Sequence, residues 1–198
     1  MSSPCTSGTC PYAGNCGGCN WIGKTIQEQR NEKLEILKSL LAPTDFYGEI
    51  DVVEIGEFQT RDRFDFTVKK VDGERRAGLY QVETREIVDI KNCIQLSPPL
   101  QEWFQKFRSL LPDWLELGSF RLRVSPSGRR GVWMDLPNLT VKTALEEKTW
   151  LRSISEVAVV EIGQRRKRLN SEKMKLEDSR ADHWFETYVK DNERWHPF

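Results

Sequence analysis

Long apolar runs are missing from this 198-residue sequence, in which 38% of the residues are hydrophobic and 30% are charged. No stretch reaches the roughly 20 apolar residues that a membrane-spanning helix needs. The opening residues, MSSPCTSGTC, lack the basic start and the apolar stretch of a signal peptide. The sequence therefore predicts a cytoplasmic protein without a membrane partner.

An excess of charge is also missing, because 30 Lys and Arg residues are balanced by 30 Asp and Glu residues. A chain without net charge creates no global field that attracts nucleic acid, so any such partner has to bind at a local basic patch. Seven tryptophans and the length of the chain favour a folded protein with a sizeable core over a disordered one.

Catalytic motifs are absent as well. The sequence contains no Walker A motif, no GxGxxG and no HExxH. Its two histidines, His183 and His196, lie near the C-terminus and give no basis for a Ser-His-Asp or Cys-His arrangement. We therefore predict no catalytic residue in this chain.

Cysteine is scarce, with five residues in the chain, yet three of them lie within the short stretch CPYAGNCGGCNW. Cys16 and Cys19 form a C-x2-C knuckle, and Gly17 and Gly18 between them allow the backbone to wrap closely around a metal. Cys10 precedes the knuckle. Because cytoplasmic thiols stay reduced, this clustering favours metal binding over disulfide bonds.

Spacing alone leaves the identity of the metal open. Structural zinc sites made of four cysteines usually combine two C-x2-C knuckles, and this chain has one. Three clustered cysteines and one distant cysteine, here Cys93, are typical of iron–sulfur ligation. A disulfide, for example between Cys5 and Cys10, is the remaining alternative.

Hydrophobic periodicity predicts an α+β chain. Apolar residues at helical spacing predict an amphipathic helix over 21–41, Pro98 opens a second helix, and residues 139–154 are predicted as a third. An Asp-Gly pair at 72–73 predicts a hairpin turn. Strands are predicted at 49–58, 63–71, 76–82, 86–90, 156–163, 172–178 and 182–190, with a hairpin over 119–136.

The predicted organisation is a cysteine-rich, metal-bound head, followed by the amphipathic helix, an antiparallel β region and a mixed α/β central domain. We divide the chain into a cysteine-rich, metal-binding region over 1–97 and an α+β central domain over 98–198.

Two stretches, CPYAGNCGGCNW and VDIKNCIQLSPPL, resemble the RNA (uracil-C5)-methyltransferases of the bacterial ribosomal RNA type. Members of that family hold a [4Fe–4S] cluster with a C-x5-C-x2-C motif and a distant fourth cysteine. The resemblance implies that Cys10, Cys16, Cys19 and Cys93 bind one such cluster, and that Cys5 does not.

The resemblance is specific up to about residue 100 and is faint beyond it. Asn20 stands where the family usually has Gln. The family's S-adenosylmethionine-binding domain, with its Gly-rich cofactor loop, nucleophilic cysteine and carboxylate base, has no counterpart here. The resemblance thus implies that 1–97 is an iron–sulfur-binding region and that 98–198 is a central domain for RNA recognition, and no Rossmann-like catalytic domain is expected in these residues. The resemblance therefore implies S-adenosylmethionine only for a full-length enzyme, and it predicts that an apolar flank of helix 21–41 packs on the missing catalytic domain.

Two basic stretches are the predicted contacts with RNA. The strand with interleaved Phe64 and Phe66 suits backbone contact and base stacking, and GQRRKRLN at 163–170 is a basic cluster predicted as a loop. The opposing interpretation is a solvated strand face. The residues predicted to bind RNA are Arg61, Arg63, Lys69, Arg165, Arg166 and Arg168.

The sequence thus predicts the cluster-bearing, RNA-recognition part of an S-adenosylmethionine-dependent RNA (uracil-C5)-methyltransferase that lacks the catalytic half, with ribosomal RNA favoured over transfer RNA as partner. One alternative is a stand-alone, non-catalytic RNA-binding module with a structural zinc or iron–sulfur site. A second alternative is a redox protein that uses the cluster for electron transfer.

Overall fold

The computed structural model describes residues 10–44, 46, 48–50, 52, 56, 58–137, 139–178, 188–191 and 194–197. Four helices are present in this part of the chain: α1 (Ile26–Leu41), α2 (Pro98–Leu110), α3 (Val141–Glu146) and α4 (Lys148–Ser155). Within the same residues, none of the helices combines the length and the apolar character that a membrane span requires.

The strands complete a mixed α+β fold. In chain order they are β1 (Arg63–Val71), β2 (Glu74–Tyr80), β3 (Ile87–Asp89), β4 (Leu117–Val124), β5 (Arg130–Asp135), β6 (Val159–Ile162), β7 (Lys167–Asn170), β8 (Lys175–Glu177), β9 (Tyr188–Asp191) and β10 (Arg194–Pro197). β9 and β10 form a separate antiparallel pair. The other eight form one sheet in the order β3-β2-β1-β4-β5-β6-β7-β8, which is antiparallel except between β5 and β6.

The large sheet contains strands from both predicted regions, since β1–β3 precede residue 97 and β4–β8 follow it. β1 and β4 join the two parts in a register that runs from Arg63 opposite Arg123 to Lys69 opposite Leu117. The division of the chain at residue 97 stays a prediction.

The core lies between α2 and one face of the sheet. Buried residues alternate along β4, so every second side chain points towards α2. Phe66 of β1 and Phe120 of β4 are register partners, and both are buried. Trp103, Phe104 and Phe107 of α2 pack against them with no exposed surface. Burial of these large rings stabilises the contact between helix and sheet.

Local signals predicted several boundaries. Asp72 and Gly73 have φ values of 51° and 82°, the left-handed conformation that a tight Asp-Gly hairpin turn requires. The second helix begins at Pro98, as predicted. The predicted helix over 139–154 is divided into α3 and α4, because the backbone leaves helical geometry at Glu147, where ψ is 54°.

Two predicted segments differ in the structure or cannot be compared. The stretch 163–170, predicted as a loop, is a turn followed by β7, because Lys167–Asn170 pair with both β6 and β8. The predicted strands at 49–58 and 182–190 lie largely outside the described residues.

The amphipathic helix begins later than predicted, at Ile26, because Thr25 caps it in a reciprocal capping box with Glu28. None of its residues is buried within the described part of the chain. Leu37 and Leu40 expose 40% and 69% of their surface. The packing of this flank on a catalytic domain stays a prediction.

An ion pair joins the end of α2 to the edge of the sheet. The Asp89 carboxylate accepts hydrogen bonds from Arg108 Nη1 at 2.8 Å and from the Ala77 backbone N–H at 2.9 Å. Arg108 also donates to the carbonyls of Ala77 and Ile90. Burial by itself would raise the pKa of Asp89, but the hydrogen bonds from Arg108 and Ala77 outweigh it and hold the pKa below its ordinary value.

Asp89→Asn is therefore expected to lower the free energy of unfolding at neutral pH by about 1.5–3 kcal/mol, the range for hydrogen bonds to charged groups. Because the folded-state pKa of Asp89 is depressed, its contribution is complete above the unfolded-state pKa of about 3.9 and is lost as the pH falls through the folded-state value. Urea unfolding over a pH series should show the wild type and the variant converging at low pH.

The matched control is Asp113→Asn, since Asp113 pairs with Arg75 at 3.0 Å but is fully exposed. Its free energy of unfolding should nearly equal that of the wild type at every pH. If the free energies of unfolding of wild type and Asp89→Asn differ by the same amount from neutral to acidic pH, the charge of Asp89 does not stabilise the fold.

Candidate metal centre and basic surface

The cysteine loop, residues 10–19, lies against strand β2. Cys16 forms an antiparallel bridge with Gln81, and the Gly17 N–H donates to the Tyr80 carbonyl at 3.0 Å. The loop is therefore held to the sheet by backbone hydrogen bonding, although few of its side chains are apolar.

The two glycines of the knuckle lie close to the sheet. A Cβ atom on Gly17 would lie 2.9 Å from the Tyr80 carbonyl oxygen, which is fixed backbone, whereas one on Gly18 would lie 2.5 Å from Leu79 Cδ1, the end of a side chain that can move. The Gly18 N–H donates to Cys16 Sγ at 3.4 Å. The structure thus explains the pair by packing on β2 as well as by a hydrogen bond to sulfur.

Cys93 is held by helix α2 and by the cysteine loop. Its backbone N–H donates to the Gln101 side-chain oxygen at 2.8 Å. Gln101 also donates to the Lys91 carbonyl, and the Lys91 N–H donates to the Tyr12 hydroxyl at 2.9 Å. Sequence reasoning did not identify Tyr12 and Gln101 as supporting residues; the only signal was that Tyr12 lies inside the cysteine motif.

Three cysteines of the loop and one distant cysteine line a single pocket. They are Cys10, Cys16, Cys19 and Cys93. Each is a free, partly buried thiol. The cavity between them has a volume of about 30 Å³. Its apolar wall includes Phe64, Leu79, Ile90 and Leu96. Cys5 lies outside the described residues.

The environment of these thiols opposes a negative charge. Burial raises the pKa of Cys93, a backbone hydrogen bond with Gln95 acts against that rise, and the neighbouring thiols of Cys19, Cys10 and Cys16 raise it further. Burial likewise raises the pKa of the Cys16 and Cys19 thiols. Burial therefore favours the neutral thiol at Cys16, Cys19 and Cys93 in this arrangement.

Arg61, a predicted RNA contact, is one of the residues that line this pocket, and whether it contacts RNA stays a prediction. Its N–H donates to the Gln95 carbonyl at 2.9 Å, and its carbonyl accepts from the Ser97 N–H. Its guanidinium lowers the pKa of Cys19 and, more weakly, of Cys16, although burial outweighs it at both. Arg61 is thus a counter-charge to the cysteine loop in this structure.

The arrangement does not match a single-ion site. Among the described residues, no group of three or more His, Cys, Asp or Glu side chains could hold a metal ion as it stands. The predicted metal-bound state of the head is therefore not shown by the structure.

The other predicted RNA contacts fall on or near one face of the sheet. Arg63 and Lys69 are exposed residues of β1. Arg165 and Arg166 belong to the turn before β7, and Arg168 is part of β7. Whether they contact RNA stays a prediction.

Sequence reasoning missed the residues that connect these positions. Arg121 and Arg123 of β4 lie opposite Asp65 and Arg63, and Trp133 of β5 lies opposite Arg121. The signal was available in RLRV, residues 121–124, where arginines alternate with apolar residues as in a strand with one buried face.

No protein-family model matches the chain, but comparison with known proteins finds relatives. An uncharacterized RNA methyltransferase of Bdellovibrio bacteriovorus is 42% identical over 191 residues, which are 94% of this chain and 48% of that protein. An uncharacterized RNA methyltransferase of Aquifex aeolicus is 30% identical over 132 residues, 64% of this chain and 30% of that protein.

A third relative carries a more specific name. The 23S rRNA (uracil(1939)-C(5))-methyltransferase RlmD of Shewanella denitrificans is 27% identical over 111 residues, which cover 52% of this chain and 24% of that protein. The chain spans about half or less of the length of these relatives. The comparisons confirm the resemblance: the chain is a relative of proteins named RNA methyltransferases, the 23S rRNA uracil-C5 enzymes among them.

Proposed function

We propose that this chain is the iron–sulfur-bearing, RNA-recognising part of an S-adenosylmethionine-dependent RNA (uracil-C5)-methyltransferase. The observation that carries the proposal is the meeting of Cys93 with the three cysteines of the loop at one pocket. These are the four positions that the family resemblance implies as ligands, and they belong to segments that lie far apart in the sequence.

The ligand pattern favours a cluster over zinc. Structural zinc sites made of four cysteines usually combine two C-x2-C knuckles, and this chain has one. Three clustered cysteines and one distant cysteine that line the same pocket suit iron–sulfur ligation.

The cluster, when bound, would supply a covalent cross-link between the loop and the rest of the fold. The residues of this chain prepare that link. Gly17 fits the loop closely against β2, Gln101 fixes the backbone of Cys93, and Arg61 places a positive charge beside the thiols. We infer a structural role, because residues 10–19 have few apolar side chains to hold them in place otherwise.

RNA is the proposed partner because relatives of the chain are named RNA methyltransferases, one of them for 23S rRNA. Methyl transfer requires a nucleophilic cysteine and a cofactor loop. If four cysteines are cluster ligands, Cys5 is the only cysteine left as a nucleophile, and the sequence has no Gly-rich cofactor loop. We therefore assign the cluster and RNA contacts to this chain, and S-adenosylmethionine to the full-length enzyme.

Protein purified without oxygen should be brown and should contain about four irons and about four sulfides per chain, as one [4Fe–4S] cluster requires. Iron and sulfide analysis together with the visible absorption spectrum measures this directly. Stoichiometric zinc without iron would contradict the cluster and would support the alternative of a zinc-stabilised RNA-binding module.

A further inference from the structure

A group of arginines surrounds Trp133 on the sheet face that is opposite the core. Buried residues of β4 and β5 point to α2, so Arg121, Arg123 and Trp133 point to the other side. The register aligns them with β1, where Arg63 lies opposite Arg123 and Asp65 lies opposite Arg121. We call this surface, with Arg166 from the turn before β7, the arginine face.

Trp133 holds two of these arginines in place. The guanidinium carbons of Arg121 and Arg166 lie 5.5 Å and 5.7 Å from the centre of its ring, within cation–π distance. The ring itself is fixed, because its Nε1–H donates to the Gly163 carbonyl at 2.8 Å. The two guanidinium groups are therefore positioned by an anchored aromatic ring rather than left to solvent.

Acidic residues lie among these arginines. The Asp65 carboxylate accepts hydrogen bonds from both Arg63 and Arg121. Burial would raise the pKa of Asp65, but these two arginines outweigh it and lower the pKa. Glu161 of β6 lies opposite Trp133 and opposite Arg168 of β7.

The surroundings of Arg123 disfavour its positive charge. Burial lowers the pKa of its guanidinium, and the like charges of Arg63, Arg121 and Arg166 lower it further, with Glu161 acting in the opposite direction. Like charges held together in a partly desolvated site raise the free energy of the unliganded protein. An anion that binds there relieves this repulsion.

The chemistry of the site matches RNA phosphate. Guanidinium groups bind phosphate oxygens in pairs, and planar guanidinium groups also stack with unpaired bases. A row of such groups across neighbouring strands suits a polyanion with repeated phosphates better than a single small anion.

We propose that an RNA strand binds across β1, β4 and β5, with its phosphates on Arg63, Arg121, Arg123 and Arg166, and that Trp133 is the positioning residue that orders Arg121 and Arg166. The proposal rests on the proposed function for the identity of the partner as RNA. It adds Arg121, Arg123 and Trp133 to the RNA contacts predicted from the sequence.

The test is a fluorescence-anisotropy titration of the cluster-loaded chain with a labelled single-stranded oligouridylate at about 50 mM and about 200 mM salt, a range over which phosphate contacts lose affinity steeply. Arg63→Gln/Arg123→Gln should weaken binding about tenfold or more at low salt. It should also flatten the slope of log affinity against log salt by about 0.7 for each lost contact on a single strand.

Arg152→Gln is the matched control, because Arg152 is an exposed arginine of α4, the helix that packs on the core side of β6. Its affinity and salt slope should equal those of the wild type. Trp133→Leu should weaken binding and Trp133→Phe should restore most of it, since the phenyl ring keeps the cation–π contact. Circular dichroism and iron content check that each variant stays folded.

The outcomes separate the two proposals. A wild-type chain that binds no RNA at either salt concentration overturns RNA recognition by this chain, and the arginine face with it. Salt-dependent binding by the wild type that the arginine double variant retains in full overturns only the arginine face. A Trp133→Phe variant as weak as Trp133→Leu overturns the positioning role of the ring.

Discussion

Cys93→Ser is expected to abolish binding of the proposed [4Fe–4S] cluster and to release the cysteine loop. Cys93 is the only proposed ligand outside the loop, and it reaches the pocket from the segment before α2. Without it three thiols remain on one short segment, which removes the link that closes the chain between Cys19 and Cys93. Closure of a long loop restricts the unfolded chain strongly, so its loss should cost stability as well as iron.

Iron analysis and limited proteolysis measure the two effects. The variant should lose its iron, and protease should cut within the first 20 residues under conditions in which the wild type is resistant. Cys5→Ser is the matched control and should keep both iron and resistance. Iron retained in Cys93→Ser but lost in Cys5→Ser would overturn the ligand assignment, and an iron-free chain that melts and digests like the loaded one would overturn the structural role.

Phe104→Ala is expected to lower the free energy of unfolding by about 3–5 kcal/mol, the range for truncating a buried aromatic ring. Phe104 is fully buried and makes edge-to-face contacts with Phe64 and Phe66 at centroid distances of 4.9 Å and 5.1 Å. Because Phe64 also lines the cysteine pocket, the loss of support should reach that pocket.

Urea unfolding of the cluster-loaded proteins measures the change. Leu40→Ala is the control, since Leu40 is 69% exposed on α1 and should shift the free energy of unfolding by no more than about 0.5 kcal/mol. A loss below about 1 kcal/mol for Phe104→Ala would show that the aromatic cluster does not carry the stability assigned to it. A slower loss of iron from Phe104→Ala than from wild type would contradict the link to the pocket.

Features that depend on neighbouring residues were predictable from the sequence. The Asp72-Gly73 turn follows from the tolerance of these residues for positive φ, and the start of α2 follows from Pro98 at the first helical turn. The cysteine motif likewise combines ligand type and spacing within one short segment. Such features depend only on residues that are close in the sequence, so they can be predicted without knowledge of the fold.

The break between α3 and α4 at Glu147 was not predictable in the same way, since apolar residues continue at helical spacing on both sides of it. β7 was missed because its residues are mainly basic and polar, and pairing with β6 and β8 decides their conformation. Tertiary pairing overrides weak local preference in short strands.

The sequence by itself determined the α+β class, the four cysteines and the likeness to RNA methyltransferases, because these follow from residue type and spacing along the chain. Only the tertiary structure decided that Arg61 lines the cysteine pocket while Arg63 joins Arg121 and Arg123 on the arginine face. The physical reason is the pairing of each residue with a distant segment: Arg61 bridges Leu96, just after Cys93, whereas Arg63 pairs with Arg123 of β4. Spacing along the chain does not reveal such partners.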